Sequence, residues 1–354
     1  MSTFADLDPQ TQRKQMESQI RTYFDGCNEA DIEKMTAQFD PGAVHYFPPG
    51  LDGPWVGSRT IAENWRRLTM TIGSAWSIDR LIAEPESLQA VIEFTHYKPG
   101  LGGFVRGDEW YKFDPDTGLI TEIRACYAAA SDGRDKVELQ GYDYRGEGYH
   151  LECPVARPLQ EHTPAETTRS GAPASGPRTG FSDLDPQTQR KQMESQIRTY
   201  FDGCNEADIE KMTAQFDPEA VHYFPPGLNG PWVSSRTIAE NWTNLVHTIG
   251  SGWSIDRLIA EPESLQAVIE FTHYKTGLGG FLRGSEWYRF DPETGLITEI
   301  RAFYASAVDG REKIELEGYD YRGEGYHLEC PVARPHPDAD PASTAARAGN
   351  KESL

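Results

Sequence analysis

The chain has 354 residues, enough for about two domains, each able to bury a core without metal or disulfide staples. Acidic residues outnumber basic ones 55 to 34, a formal charge of -21, and such a field repels nucleic acid and anionic membrane surfaces. The opening stretch MSTFADLDPQTQRKQ lacks an apolar signal core, no run of about 18 apolar residues occurs, and the five cysteines include no C-x-x-C pair, so the expectation is a soluble cytoplasmic protein with reduced thiols.

In chain order, Asp8-Pro9 reads as a helix start, an N-cap followed by proline, and Met16, Ile20, Phe24 and Cys27 follow at helical spacing. A short second helix carries Ile32, Met35 and Phe39. Asp40-Pro41 and Pro48-Pro49 bracket AVHYF as a strand. A third helix begins at the capping box Thr60-Ile61-Ala62-Glu63, with Ile61, Trp65, Leu68 and Ile72 on one face. From Trp76 the pattern turns to β-rich runs (WSIDRLIAE, SLQAVIEFTHYK, FVRGDEWYKF, LITEIRACYAAA) separated by Pro- and Gly-containing hairpin loops. Helices first and an antiparallel meander afterwards predict an α+β fold, helices covering one face of a curved sheet.

At Phe181 the whole order starts again: the segment from Phe4 recurs at an offset of 177 without a gap to Pro158 and Pro335, with about 20 substitutions in about 155 positions. The expected organisation is a first copy over residues 1–158, a flexible linker over 159–180, a second copy over 181–335 and a disordered tail over 336–354. The linker, rich in Pro, Ser, Thr, Gly and Ala, has a coil span of roughly 26 Å, which lets the copies pack on each other as an intrachain pseudo-dimer, further homo-oligomerisation being left open.

The order of elements, with AVHYFPPG, GSRTIAENW, EFTHYKPG, RGDEWYKFD and GLITEIRACYA, resembles the SnoaL-like branch of the ketosteroid isomerase and nuclear transport factor two-like superfamily over nearly all of each copy. The resemblance implies a cystatin-like, cone-shaped barrel, a bent antiparallel sheet around a deep pocket roofed by three helices. It also implies dimers joined through their sheets, and activities that scatter over isomerases, dehydratases, cyclases, epoxide hydrolases and lyases, mostly without metal or organic cofactor.

Strand alternation sorts the candidate site residues. His45 and Phe47 share a face opposite Tyr46; Phe94 and His96 share one opposite Glu93; Glu109, Tyr111 and Phe113 share one opposite Arg106, Asp108, Trp110 and Lys112. A carboxylate sharing a face with two aromatics belongs in a pocket rather than in solvent. The expected proton-transfer set is His45, His96 and Glu109, with Tyr46, Arg106 and Tyr127 holding an oxygen and Tyr23, Phe47, Trp65 and Tyr111 contacting substrate. Trp76 and Trp110 are further aromatics that could line the cavity. The second copy repeats the set as His222, His273, Glu286, Tyr223, Arg283, Tyr304, Tyr200, Phe224, Trp242 and Tyr288. No nucleotide loop, H-E-x-x-H or G-x-S-x-G motif occurs, so neither cofactor nor metal is called. The expected function is a lyase, dehydratase or isomerase acting on a small apolar, aromatic or cyclic substrate. The alternative is a non-catalytic ligand-binding or assembly module.

Overall fold

The computed structural model describes residues 3–49, 53–128, 136–155, 180–226, 230–305 and 313–333. The expected linker (apart from Gly180) and tail lie outside the described residues. Each copy is a mixed unit of helices and a curved antiparallel sheet. The first helix, α1 (Pro9–Glu29), is capped by Asp8, whose carboxylate accepts from the Thr11 amide at 3.0 Å, and it buries Met16, Ile20, Tyr23, Phe24 and Cys27 on one face. After α2 (Ile32–Thr36), Phe39 opens strand β1 (Phe39–Tyr46) instead of closing the helix. Asp40-Pro41 also lies inside β1 rather than bounding it: the Asp40 carboxylate accepts from the Gly42 amide at 2.8 Å, and the strand register shifts between Phe39 and Val44.

A short β2 (Trp55–Val56) pairs with β1 and leads into α3 (Ser58–Ile72), which starts two residues before the expected capping box. Its start is set by a tertiary bond, Gly57 amide to Ala43 carbonyl at 2.8 Å, with Gly57 at φ 95°. The second copy has Ser234 there at φ 84°, its hydroxyl capping the Thr237 amide at 3.2 Å. The meander β3 (Ala75–Glu84), β4 (Gln89–Lys98), β5 (Gly103–Phe113) and β6 (Ile120–Tyr127) is antiparallel throughout, and β1 adds to β6 in parallel. Helix α1 lies over β3 and α3 over β1. Gly107 lets β5 approach β6 closely, since a Cβ there would collide with the Cys126 carbonyl and press on Phe94 and Tyr127.

A strand β7 (Lys136–Val137) pairs with β5. The second copy repeats this order as α4 (Pro186–Glu206), α5 (Ile209–Thr213), β8 (Phe216–Tyr223), β9 (Trp232–Val233), α6 (Ser235–Ile249), β10 (Ser251–Glu261), β11 (Gln266–Lys275), β12 (Gly280–Phe290), β13 (Ile297–Tyr304) and β14 (Lys313–Ile314). The two sheets meet at one antiparallel pair, Tyr127 with Tyr304, so the strand path runs β10-β11-β12-β13-β6-β5-β4-β3.

Polar bonds between the copies run from the outer faces of the strands. Arg124 binds both carboxylate oxygens of Glu270 at 2.9 and 2.8 Å, and Arg301 binds those of Glu93 at 2.8 and 3.0 Å. The closing stretch of each copy also crosses over: the Gln140 amide donates to the Phe224 carbonyl at 3.0 Å, and Tyr142 meets Tyr223 edge-on at 4.9 Å, as Tyr319 meets Tyr46 at 5.0 Å. Tyr149 and Tyr326 then bond Glu93 and Glu270 of their own copies at 2.5 and 2.6 Å. No helix among the described residues is long and apolar enough to cross a membrane.

Candidate functional site

Period-2 alternation on β1, β4, β5 and β6 puts His45, Phe94, His96, Glu109, Tyr111 and Tyr127 on the inner face, toward the helices. His45 is fully buried, and its Nε2 lies 3.5 Å from Glu109 Oε1. The Tyr111 hydroxyl donates to the other oxygen of the same carboxylate. Around the imidazole the walls are aromatic: Phe47 stacks on it at 4.0 Å, with Trp65 at 5.6 Å and Trp55 at 5.9 Å. Neither ring nitrogen of His45 has a hydrogen-bond partner among the described residues.

Trp65 also meets His96, at 5.8 Å, and so stands between the two histidines. His96 stacks on Trp76 at 4.4 Å and shares a 2.9 Å hydrogen bond between its Nε2 and Ser74 Oγ. Burial, and to a smaller extent the charge of Lys98, holds its imidazole well below the usual histidine range, so it is neutral at pH 7. Burial pushes the phenols of Tyr23, Tyr111 and Tyr127 well up, and the Glu109 carboxylate adds to this in all three. These three groups are therefore hydrogen-bond donors near neutral pH, not bases.

The second copy has the same arrangement: His222 Nε2 lies 3.5 Å from Glu286 Oε1, Tyr288 donates to Glu286, and His273 meets Ser251 at 2.9 Å and Trp253 at 4.6 Å. There Trp242 Nε1 also donates to the Tyr200 hydroxyl at 2.5 Å. Phe224 stacks on His222 as Phe47 does on His45, and Tyr304 matches Tyr127, buried with its phenol pushed up.

Four of the residues expected in the pocket face the other way. Tyr46 and Tyr223 alternate with the buried histidines and lie against Tyr319 and Tyr142 of the opposite copy. Arg106 and Arg283 alternate with the glutamates and sit under the closing stretches: Arg106 donates to Thr95 at 2.7 Å and lies 3.9 Å over Tyr144, with Asp79 at 3.8 Å. Trp110, another candidate for the cavity wall, donates to Ser285 across the contact between copies at 3.1 Å. Glu93 is held there too, by Arg301.

Sequence reasoning passed over Trp55 and the role of Ser74. Trp55 pairs with His45 in the β1–β2 register, and its only local signal is a tryptophan in a Gly- and Pro-rich loop. Ser74 follows a helix and holds His96. A separate cleft of about 690 Å³, lined by Arg13, Lys14, Glu17, Glu84, Glu86 and Arg190 among others, contains none of the buried histidines or their glutamates.

A family model described as SnoaL-like domain matches residues 20–123 and 197–300, and the chain belongs to that family as two tandem domains. A structure of a protein of unknown function with a cystatin-like fold from Methylobium petroleophilum PM1 is 49% identical, covering 41% of this chain and 97% of that one, with a TM-score of 0.33. An LEH-like epoxide hydrolase of M. tuberculosis is 19% identical over 34% of this chain and 81% of its own, TM-score 0.29. The epoxide hydrolase/cyclase-like enzyme SalBIII, described in pyran ring formation in the polyether salinomycin, is 16% identical over 32% and 91%, TM-score 0.28. No curated protein matched the chain.

Proposed function

We propose that each copy is an enzyme that works without a cofactor, moving protons on a small apolar, aromatic or cyclic substrate in a lyase, dehydratase or isomerase reaction. The reading rests on one observation: a fully buried imidazole 3.5 Å from a carboxylate, neither ring nitrogen hydrogen-bonded among the described residues, enclosed by aromatic rings, and present in both copies. A buried polar group normally has its hydrogen bonds satisfied by the protein, so open valences in an apolar enclosure suit a ligand atom.

In this mechanism Glu109, fixed by Tyr111, orients His45 and balances the charge it gains as it takes a substrate proton. Tyr23 and Tyr127, phenols held protonated, polarise a substrate oxygen in place of Tyr46 and Arg106. His96 stays neutral and shapes the wall through Ser74 and Trp76. The proposal includes working units at residues 1–158 and 181–335 joined by a linker, paired within one chain, in a cytoplasmic setting that suits five free cysteines.

The test changes Glu109→Gln and Glu286→Gln together, because one surviving site would hide the loss. Small aromatic and cyclic terpenoid compounds that raise the melting temperature of the parent are then assayed for conversion. The double variant should bind the same compounds and convert them about a hundredfold more slowly or worse. Full conversion by the folded variant removes Glu109 from the mechanism. Binding with no conversion by the parent leaves a ligand-binding module instead.

A further inference from the structure

The two copies are not interchangeable where their sheets meet. Trp110 and Trp287 are symmetry-like partners, each fully buried, but the residue that receives each indole differs: Trp110 Nε1 donates to Ser285 Oγ at 3.1 Å, and Trp287 Nε1 donates to Asp108 Oδ2 at 3.2 Å. Position 108 of the first copy corresponds to 285 of the second, so one carboxyl and one hydroxyl face each other where two like copies would present two carboxyls or two hydroxyls. Asp108 and Ser285 are both fully buried, and Asp108 Oδ1 has no hydrogen-bond partner among the described residues.

We propose that Asp108 and Ser285 make this surface a contact between unlike copies: the first copy fits a second copy, and two first copies are disfavoured because their facing aspartates would both be buried. The inference rests on the pairing of copies within the chain proposed above. Its electrostatics are set by the groups packed around Asp108. From its own sheet come Glu93 on β4 and Cys126 on β6; from the other copy come Glu270 on β11, with Ser285 and Trp287 on β12. The guanidiniums nearby are committed, Arg124 to Glu270 and Glu122, Arg301 to Glu93 and Glu299. Among the described residues, neither of these guanidiniums is left for a second carboxylate at the axis.

Burial, reinforced by Glu93 and Glu270, pushes the Asp108 carboxyl well above its usual 3.8, with the Ser285 and Trp287 hydrogen bonds opposing it in part. A carboxyl whose pKa rises on folding contributes stability that is complete below the unfolded value and is lost as pH rises toward the folded one. One such group is tolerated; two would double the cost as pH rises.

The experiment uses full-length Ser285→Asp, Ser285→Asn and Asp108→Ser, with melting temperature followed from pH 5 to pH 8 and particle mass by light scattering. The Ser285→Asp variant should melt several degrees below the parent at pH 8 and approach it at pH 5. The Ser285→Asn variant, of equal size without charge, should lack that pH dependence, and Asp108→Ser should gain on the parent as pH rises. A Ser285→Asp variant that follows the parent at every pH, or an equal loss in Ser285→Asn, overturns the axis proposal while a compact parent of about 40 kDa keeps the pairing. An extended parent particle overturns both.

Discussion

Strand β5 carries two chemistries one residue apart. Glu109 and Tyr111 face inward, where neither ring nitrogen of His45 has a hydrogen-bond partner among the described residues; Asp108 and Trp110 face outward, into a contact dense with reciprocal bonds. On the outer face each buried arginine spends nearly all its donors on protein: Arg301 reaches Glu93, Glu299 and Gln266. That face has isolated gaps as well, at Asp108 Oδ1, Arg106 Nε and the Tyr97 hydroxyl, and Arg106 Nε has Glu138 3.7 Å away much as His45 Nε2 has Glu109 at 3.5 Å. The inner face is the one on which an entire titratable ring is left open. Reciprocal hydrogen bonds and ion pairs dominate the contact between copies, and the open imidazole of the inner face is the group on which the proposed ligand site rests.

The largest effect on the comparison should come from breaking a saturated group. Arg301→Ala strands Glu93 in a buried contact and should cost about 3–5 kcal/mol, read as a fall in the urea midpoint. Combining Glu93→Gln with Arg301→Met removes both charges, and most of that loss should return. A single variant as stable as the parent would show that the outer network is ornamental and that the contrast between faces is false.

A smaller effect belongs to the inner face and to acid. His96 and His273 have imidazoles held well below 6.5 by burial and by Lys98 and Lys275, so the unfolded chain binds protons that the folded chain refuses. Their contribution is present above the unfolded value and is lost as pH falls below about 6.5, at up to about 1.4 kcal/mol per pH unit for each histidine. Melting curves from pH 7 to pH 5 should therefore flatten when both become Gln. An unchanged acid slope in that variant would mean the two rings are not buried neutral.

Much of this division could be read from period-2 alternation. The grouping of His45 with Phe47, of Phe94 with His96 and of Glu109 with Tyr111 on one side needs only the strand assignment, and the structure places all six inward. Which polar residues are covered by the closing stretches was not legible: Arg106 and Tyr46 look like pocket donors until those stretches, far along the chain, cover them with Tyr144 and Tyr319. The same holds for Trp110, whose partner Ser285 is 175 residues away. Local boundaries failed where a tertiary bond decided them, as at α3, whose first turn is fixed by the Ala43 carbonyl rather than by its own capping box.

The smallest effect should come from the rim of the charged cleft. Arg13 binds Glu261 at 2.9 Å and Arg190 binds Glu84 at 2.8 Å, two equivalent bridges between copies with partly exposed arginines. Pairs of this kind contribute about 1 kcal/mol or less each. Their glutamates show why: burial raises the Glu84 and Glu261 carboxyls above the usual range even with Ser87 or Ser264 and an arginine opposing it, so the attraction does not offset the lost hydration. Removing both arginines frees each carboxyl to take up a proton instead of remaining a stranded charge, and proton uptake is easier at low pH. The Arg13→Ala, Arg190→Ala variant should therefore lie within about 2 kcal/mol of the parent at pH 8 and closer still at pH 5, when both are compared by urea titration. A loss as large as that of Arg301→Ala would place these bridges with the saturated core of the contact; a loss that grows toward pH 5 would mean that the glutamates stay charged without their arginines.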